Sequence, residues 1–193
     1  MKMKTYIALI ILLPSIVACT QAPELKVYTL DVPTVPIAKN TQYRYTTLKV
    51  IFPQSIREEM SEKMNFSYSN DERGVYQNSQ WSNTMSKLLE GTLIDMLDKS
   101  KLFKAVLSDT STLQENYRLE SNIFAFEHKV RGTQSHAVIS IQFTLINAKT
   151  GKLIKSKRFN YREKTESTDA KGYVNATNIA ISKLGRDLIY WIQ

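Results

Sequence analysis

The sequence has little cysteine, histidine, glycine or proline, and it has no apolar run long enough to span a membrane. Its 193 residues include one Cys, two His, six Gly and five Pro. A single Cys excludes an internal disulfide. The longest apolar run, from Tyr6 to Val17, covers about a dozen residues, whereas a spanning helix needs roughly 20. An ordinary globular domain without disulfides is therefore expected.

Sequence motifs of known catalytic sites are also missing. The chain has no Gly-x-Ser-x-Gly, no phosphate-binding glycine loop and no His-Glu-x-x-His. Its acidic residues form no pair within the apolar segments, where burial would raise their pKa values for acid and base catalysis. This pattern favours a binding or scaffolding protein over an enzyme, and no cofactor is expected.

The two histidines are the remaining candidates for a metal site. His128 and His136 flank a predicted turn, and Glu127 is the only acidic residue nearby. A zinc site needs three or four ligands, so this set is too small. We therefore expect no metal site and interpret both histidines as exposed residues of a hairpin.

The chain begins with a pattern typical of exported proteins. Lys2 and Lys4 precede the apolar run, which ends at Ile16-Val17-Ala18-Cys19. These four residues resemble the lipobox of bacterial lipoproteins, which predicts cleavage between Ala18 and Cys19 and lipidation of Cys19. A plain secretory signal with an incidental Cys is the alternative. We favour lipidation because an exported protein with a solitary thiol requires an explanation, and several acyl chains give stable anchoring.

These features predict a simple domain organisation. Residues 1–18 are the signal peptide, residues 19–24 a lipidated tether and residues 25–193 a single domain. Removal of the signal leaves 175 residues with a net charge of +6, enough to bury a sizeable core. Thr20 after the lipidated Cys resembles lipoproteins sorted to the outer membrane. Export argues against a nucleic-acid partner, so a periplasm-facing, lipid-anchored location is expected.

The basic residues are most concentrated near the end of the sequence. On a strand such a run is typical of a solvated face or a protected edge, which we favour over a patch for lipid headgroups or a partner. The run comprises Lys152, Lys155, Lys157, Arg158, Arg162 and Lys164.

Hydrophobic periodicity predicts an α+β fold. Apolar residues at helical spacing predict a helix over 85–100, capped by Ser82 or Asn83, and a second helix from Tyr173 to Trp191. Alternating segments predict strands, and a helical turn is expected at 55–60. The order favours a two-layer sandwich in which a mainly antiparallel sheet carries both helices on one face. The predicted strands cover 25–30, 43–52, 63–69, 75–77, 105–107, 117–127, 137–145 and 153–161.

Four aromatic residues are candidates for partner contacts or for packing. They are Tyr28 and Tyr76 on predicted strands, Trp81 before the first helix and Trp191 near the end of the second. Packing of each tryptophan against the sheet is the interpretation we favour.

The order of segments resembles the ABC-type transport auxiliary lipoprotein family, which includes paraquat-inducible-protein-C-like members. The resemblance is carried by Cys19, Tyr28-Thr29-Leu30, the segment 64–68, Gln80-Trp81 and Leu102-Phe103 with Val106, and it extends to Trp191-Ile192. Ser69 departs from this pattern, because the family often has an Arg after the Tyr.

This resemblance implies an accessory role in MCE-type (mammalian cell entry) ABC transport systems, which move phospholipid or other hydrophobic molecules between inner and outer membranes. The implied partners are an MCE-domain protein, ABC transporter components and, for a ring, further copies of the chain. The alternative is an envelope-assembly or structural lipoprotein. Adjacent permease, ATPase and MCE genes would favour the first hypothesis.

Overall fold

The described part of the protein consists of one mixed sheet and two helices. The computed structural model describes residues 23–39, 42–55, 61–69 and 71–193. The predicted signal peptide and the predicted helical turn after Ser55 lie outside these ranges. In chain order the elements are β1 (Lys26–Tyr28), β2 (Thr47–Val50), β3 (Gln54–Ser55), β4 (Lys63–Ser67), β5 (Arg73–Trp81), α1 (Met85–Lys99), β6 (Ala105–Leu107), β7 (Tyr117–Arg131), β8 (Gln134–Asn147), β9 (Leu153–Lys164) and α2 (Ala170–Ile192).

The long strand β7 organises the sheet. On one side it pairs with β8, and β8 with β9, both antiparallel and over most of their length. On the other side β2, β3 and β4 pair in parallel with successive parts of β7. Strand β6 extends the sheet from β2, while β5 and then β1 extend it from β4. The predicted α+β fold with a mainly antiparallel sheet is confirmed, and the short parallel pairings are an addition to it.

The two ends of the sheet differ in their connections. The β4–β5 and β7–β8 turns lie at one end, because Ser67 pairs in parallel with Lys129; we call this the hairpin end. The β8–β9 turn, the start of β7 and strand β6 lie at the opposite end, which we call the β6 end. Strand β1 runs parallel to β5, so the chain enters the described fold from the side of the hairpin end.

Both helices cover one face of the sheet and enclose the core. Alternate residues of β8 face the helices and are almost fully buried, and each such side chain contributes roughly 1.5–3 kcal/mol on burial. Helix α2 closes the core with its own apolar stripe. Neither described helix combines the length and the apolar character needed to cross a membrane. The buried β8 residues are Ala137, Ile139, Ile141, Phe143 and Leu145.

The cap of α1 differs from the prediction. Thr84, rather than Ser82 or Asn83, is the N-cap, and its hydroxyl accepts a hydrogen bond from the Lys87 amide. Ser82 instead donates its amide to the carbonyl of Tyr28 and so belongs to the end of the sheet. The side chain of Asn83 accepts a hydrogen bond from the Thr84 amide. Residues 82–84 therefore include three candidate N-caps. Thr84 is the one used, because the hydrogen bond of Ser82 to Tyr28 keeps the start of this run at the sheet.

Three predicted strands are shorter than expected. Strand β1 covers Lys26–Tyr28 instead of 25–30. Strand β2 begins at Thr47, because residues before it form a turn in which the Thr46 amide bonds the Tyr43 carbonyl. Tyr43 still packs into the core beside Phe103, whereas Tyr45 is 85% exposed. Strand β4 ends at Ser67, because the Tyr68 amide bonds the Glu72 carbonyl in the turn to β5, and Tyr68 is half-exposed. Strands β5, β7, β8 and β9 are longer than predicted.

Candidate functional site

The predicted lipidation site, Ala18 and Cys19, lies outside the described residues. The first described strand begins at Lys26, seven residues after Cys19. Leu25 and Val27 flank that residue and are 50% and 56% exposed. Strand β1 pairs only with β5 among the described strands, so its outer edge is free within the described sheet. A partner strand could bind there.

The described part of the chain contains a stack of three rings near the hairpin end. His128 of β7 lies between Tyr76 of β5 and Tyr173 of α2, and we call this the aromatic–histidine stack. The His128 ring is 5.0 Å from the Tyr173 ring at 4° between planes, and 6.1 Å from the Tyr76 ring at 20°. His128 and Tyr173 are both 0% exposed. The stack therefore joins the sheet to the start of α2.

The polar atoms of this stack are only partly satisfied. The Tyr76 hydroxyl lies 2.6 Å from His128 Nδ1 and 3.3 Å from the carbonyl oxygen of Thr168. If the hydroxyl donates to Thr168, His128 Nδ1 carries the proton and donates to the hydroxyl, which leaves Nε2 as an acceptor. Nε2 is buried without a hydrogen-bond partner among the described residues. Such an atom incurs a desolvation cost.

Burial keeps this histidine neutral. Desolvation lowers the pKa of His128 to about 4, helped by the positive charge of His136 and opposed by the Asp169 carboxylate. Burial also raises the pKa of the Tyr76 hydroxyl, as do Asp169 and Tyr68. Both groups are therefore uncharged at neutral pH. Their arrangement supplies packing and a local hydrogen bond, with no exposed acid or base.

The prediction that both histidines are exposed is wrong for His128. His128 pairs with Ala137 and faces the helices, whereas His136 pairs with Lys129 on the opposite face of the sheet and is half-buried. The two rings cannot bind one ion. The described residues also contain no group of three or more His, Cys, Asp or Glu placed to hold a metal. Phe126 and Val130 lie two residues before and after His128, so the three side chains share one face of the strand. Because both neighbours are apolar, this spacing could have identified His128 as buried.

The candidate aromatic residues occupy two places. Trp81 is buried and makes edge-to-face contacts with Phe126 and Tyr173, so it adjoins the aromatic–histidine stack. Tyr28 pairs with Trp81 across β1 and β5 and packs against the same core. Trp191 lies at the far end of α2.

Trp191 and the basic run meet near the end of α2. The Trp191 ring contacts Phe159 edge-to-face at 5.9 Å. Lys155 donates hydrogen bonds to the carbonyl oxygens of Trp191 and Ile192 at 2.8 and 3.0 Å, which stabilises the C-terminus of the helix. Part of the basic run therefore has a structural role.

The remaining cations of the run differ in their surroundings. Arg158 lies 3.9 Å above the Phe124 ring and donates to Ser140 on the face opposite the helices. Arg162 and Lys164 are exposed near the hairpin end. Strand β9 pairs only with β8 among the described strands, as expected for a charged edge.

A buried ion-pair cluster lies toward the β6 end. Glu115 binds Lys49 at 2.9 Å and Arg118 at 2.5 Å, and its carboxylate side chain is only 4% exposed. Hydrogen bonds from Lys49 and then Arg118 lower the pKa of Glu115 to about 2. This carboxylate is therefore charged and fully paired at neutral pH. Its contacts are those of a structural cluster.

Comparison with known structures agrees with the fold. Protein XCC0632 from Xanthomonas campestris, assigned to the family model DUF330, is 21% identical with a TM-score of 0.74, covering 86% of this chain and 94% of that one. A second crystal structure, titled only an uncharacterized protein, is 17% identical with a TM-score of 0.67, covering 88% and 99%. At these identities the similarity shows the fold alone. A search of curated proteins found no match.

The family itself follows from a match over most of the chain. The model of the ABC-type transport auxiliary lipoprotein component matches residues 28–188, which includes every described element except the first residues of β1 and the end of α2. The chain therefore belongs to the family of ABC-type transport auxiliary lipoprotein components.

Proposed function

We propose that this protein is a lipid-anchored, periplasm-facing accessory of an MCE-type ABC transport system. The system would move phospholipid or another hydrophobic molecule between the inner and outer membranes. The family match over residues 28–188 is the observation that carries the proposal. The lipobox-like end at Cys19 supports a lipid anchor, and Thr20 supports the outer membrane as its location.

In this proposal the chain acts by binding and scaffolding. Residues 1–18 are removed, residues 19–24 form the tether and residues 25–193 form the working domain. The titratable His128 within the aromatic–histidine stack is fully buried and kept neutral, and Glu115 is neutralised by its two cations. These are properties of groups that stabilise a fold, and the family is named for auxiliary components.

The outer edge of β1 is our candidate for partner binding. Its strand has a free edge within the described sheet and presents the exposed apolar side chains Leu25 and Val27. A strand of an MCE-domain protein, or of a second copy in a ring, would extend the sheet and cover both residues. Other edge strands of the described sheet include β6, with three residues, and β9, which is dominated by basic residues.

Crosslinking in cells followed by affinity purification tests the proposal. We expect the wild-type lipoprotein to recover an MCE-domain protein or an ABC component. Val27→Lys should reduce that recovery several-fold, because it places a charge at the free edge. Ile154→Lys on the β9 edge is the matched control and should retain the wild-type level, since Ile154 is also exposed.

The same experiment separates the two hypotheses. If wild-type protein recovers no MCE or ABC component, the transport role fails. Recovery of outer-membrane assembly factors in their place would favour an envelope-assembly lipoprotein. Equal recovery with Val27→Lys would leave the transport role but reject the β1 edge as the binding surface.

A further inference from the structure

A line of basic residues crosses the sheet at the hairpin end. The strand registers place Ser67, Lys129, His136 and Lys164 side by side on β4, β7, β8 and β9. They point away from the helices, because their neighbours His128 and Ala137 face the core. Arg131 and Arg162 lie two positions from Lys129 and Lys164 and therefore share this face. We call Lys129, Arg131, Arg162 and Lys164 the basic row.

The charges of the basic row are largely uncompensated. No carboxylate of residues 23–39, 42–55, 61–69 or 71–193 lies within 4.0 Å of Arg131, Arg162 or Lys164. Glu127 is the exception on this face, since it contacts Lys129 at 3.4 Å and accepts a hydrogen bond from Ser67. Other acidic residues at this end are Asp71 and Glu72 in the β4–β5 turn, Glu166 two residues after Lys164, and Asp169, which accepts hydrogen bonds from Ser167 and the Gly172 amide.

His136 lies within this line of residues, and its pKa responds to the neighbouring cations. Arg162 approaches His136 Nδ1 at 3.3 Å. Burial first, and then the charges of Arg162 and Lys164, lower the pKa of His136. The cations of Arg162 and Lys164 therefore make the potential around His136 positive, which attracts anionic groups.

The length of the tether allows this end to lie beside a membrane. Strand β1 begins level with Ser79, and β5 runs from the hairpin end at Arg73 to that level. Across from this part of β5, strand β4 advances only from Lys63 to Ser67, which is about 13 Å. The seven residues from Cys19 to Leu25 reach at most about 25 Å when fully extended. The tether is therefore long enough for the hairpin end to contact the bilayer that holds Cys19.

An interfacial aromatic residue lies at the same end. Tyr68 is 50% exposed and lines, with Phe66 and Tyr76, an aromatic hollow of about 240 Å³ closed by Val130 and Gly132 of the β7–β8 turn. Tyrosine is enriched where proteins meet the headgroup region of membranes, because its ring is apolar and its hydroxyl is polar. Cations and an exposed Tyr therefore occupy the part of the domain nearest to the tether.

We propose that the basic row docks the hairpin end on anionic phospholipid headgroups of the membrane that holds Cys19. This inference rests on the lipid anchor of the proposed function. Docking orients the domain with its β7–β8 turn at the bilayer and its β6 end toward the periplasm. The β1 edge then lies beside the membrane surface, available to a partner that approaches along it.

The test uses the full mature lipoprotein, purified from membranes and reconstituted into vesicles. Cys19 is the only Cys, so once lipidated it leaves an introduced Cys as the sole free thiol. A fluorophore is attached at Thr133→Cys in the β7–β8 turn or at Thr150→Cys in the β8–β9 turn. Phosphatidylcholine spin-labelled on its headgroup serves as the quencher. In vesicles of phosphatidylethanolamine and phosphatidylglycerol, we expect quenching at position 133 to exceed that at position 150 by about three-fold.

Charge variants separate headgroup recognition from simple tethering. The triple variant R131Q/R162Q/K164Q should reduce quenching at position 133 to the level of position 150, and salt near 1 M should do the same because screening shortens to about 3 Å. The control K104Q/K149Q/K152Q removes the same charge at the β6 end and should leave quenching unchanged.

Three outcomes would overturn the inference. Equal quenching at positions 133 and 150 would reject the orientation. Quenching at position 133 that is as strong in neutral phosphatidylcholine vesicles as in anionic vesicles would reject recognition of anionic headgroups. Quenching that is as strong in the triple variant as in wild type would reject it too. If mass spectrometry finds acyl chains on Cys19 in such a case, the anchor stands while the docking fails. If it finds none, both the anchor and the docking fail.

Discussion

The buried polar groups at the two ends of the sheet differ in charge and in hydrogen bonding. Toward the β6 end, Glu115 is buried as a charged group and satisfied by Lys49 and Arg118. Near the hairpin end, His128 is buried as a neutral group whose Nε2 atom has no partner among the described residues. The surface follows the same division, because the basic row near His128 has few carboxylates beside it.

This difference indicates where the molecule responds to its surroundings. A fully paired cluster is stable over a wide range of pH and is lost only when its carboxylate is protonated. A buried histidine that stays neutral lowers the free energy of unfolding at any pH where the unfolded chain binds a proton that the folded chain does not. We therefore expect mild acid and salt to act at the hairpin end and strong acid to act at the β6 end.

The largest effect is expected from breaking the Glu115 cluster. Glu115→Gln leaves Lys49, which is itself mostly buried, without its counter-charge and should lower the free energy of unfolding by about 3 kcal/mol at pH 7. The pKa of Glu115 is about 2 in the folded state, below its ordinary 4.5, so the stabilisation is present above pH 4.5 and lost as pH falls toward 2. Urea unfolding across this range measures the difference.

The control for this prediction lies on β7, five residues after Glu115. Glu120 is exposed on β7, so Glu120→Gln should change the free energy of unfolding by no more than about 0.5 kcal/mol. Equal effects of the two variants would show that burial and pairing of Glu115 contribute nothing, and the proposed contrast between the ends would be lost.

The second effect is a loss of stability in mild acid caused by His128. Its pKa is about 4 in the folded state against 6.5 ordinarily. The folded state therefore binds fewer protons, and the free energy of unfolding should fall by on the order of 3 kcal/mol as pH drops from 6.5 to 4. His128→Phe keeps a ring between Tyr76 and Tyr173 but cannot titrate, so its stability should be much flatter over this window.

His136 provides the control for this window. It lies on the opposite face, and its pKa is also lowered, so it contributes in the same direction. His136→Gln should nevertheless retain most of the loss seen in wild type, because His128 is the fully buried ring. If His136→Gln abolishes the loss of stability in acid and His128→Phe does not, that loss arises from His136 and not from the buried His128.

The third and smallest effect concerns the hydroxyl of Tyr76. Tyr76→Phe removes its contacts with His128 Nδ1 and the Thr168 carbonyl while retaining the ring. A net cost of about 1–2 kcal/mol at pH 7 is expected, because a second nitrogen of the buried imidazole loses its partner. Thermal unfolding of this variant, compared with Tyr68→Phe at the exposed neighbouring ring, measures it. Equal melting temperatures for both variants would contradict the prediction.

Local patterns in the sequence predicted the elements whose packing is periodic. Alternation along 137–145 identified β8, and the apolar stripe from Met85 identified α1, because each pattern reports one buried face. The turn at Gly151, where φ is +67°, also fits a residue that tolerates the left-handed region.

Features set by distant parts of the chain were not predictable in this way. The parallel pairing of β2, β3 and β4 with one edge of β7 depends on segments far apart in sequence. By contrast, an irregularity between Ile123 and Ala125 is local to β7, and it means that the burial of His128 could be inferred only from its nearer neighbours Phe126 and Val130. The basic row emerges only when β4, β7, β8 and β9 are aligned. Its members are scattered from Lys129 to Lys164, so composition alone suggested a solvated edge.

The lipid anchor is the claim on which both proposals depend, and intact mass spectrometry of the protein extracted from membranes tests it most directly. We expect a mature chain that begins at Cys19 and carries the added mass of a diacylglyceryl group, with or without a further acyl chain on its amine. A chain that begins at any other residue, or an unmodified Cys19, would contradict the account.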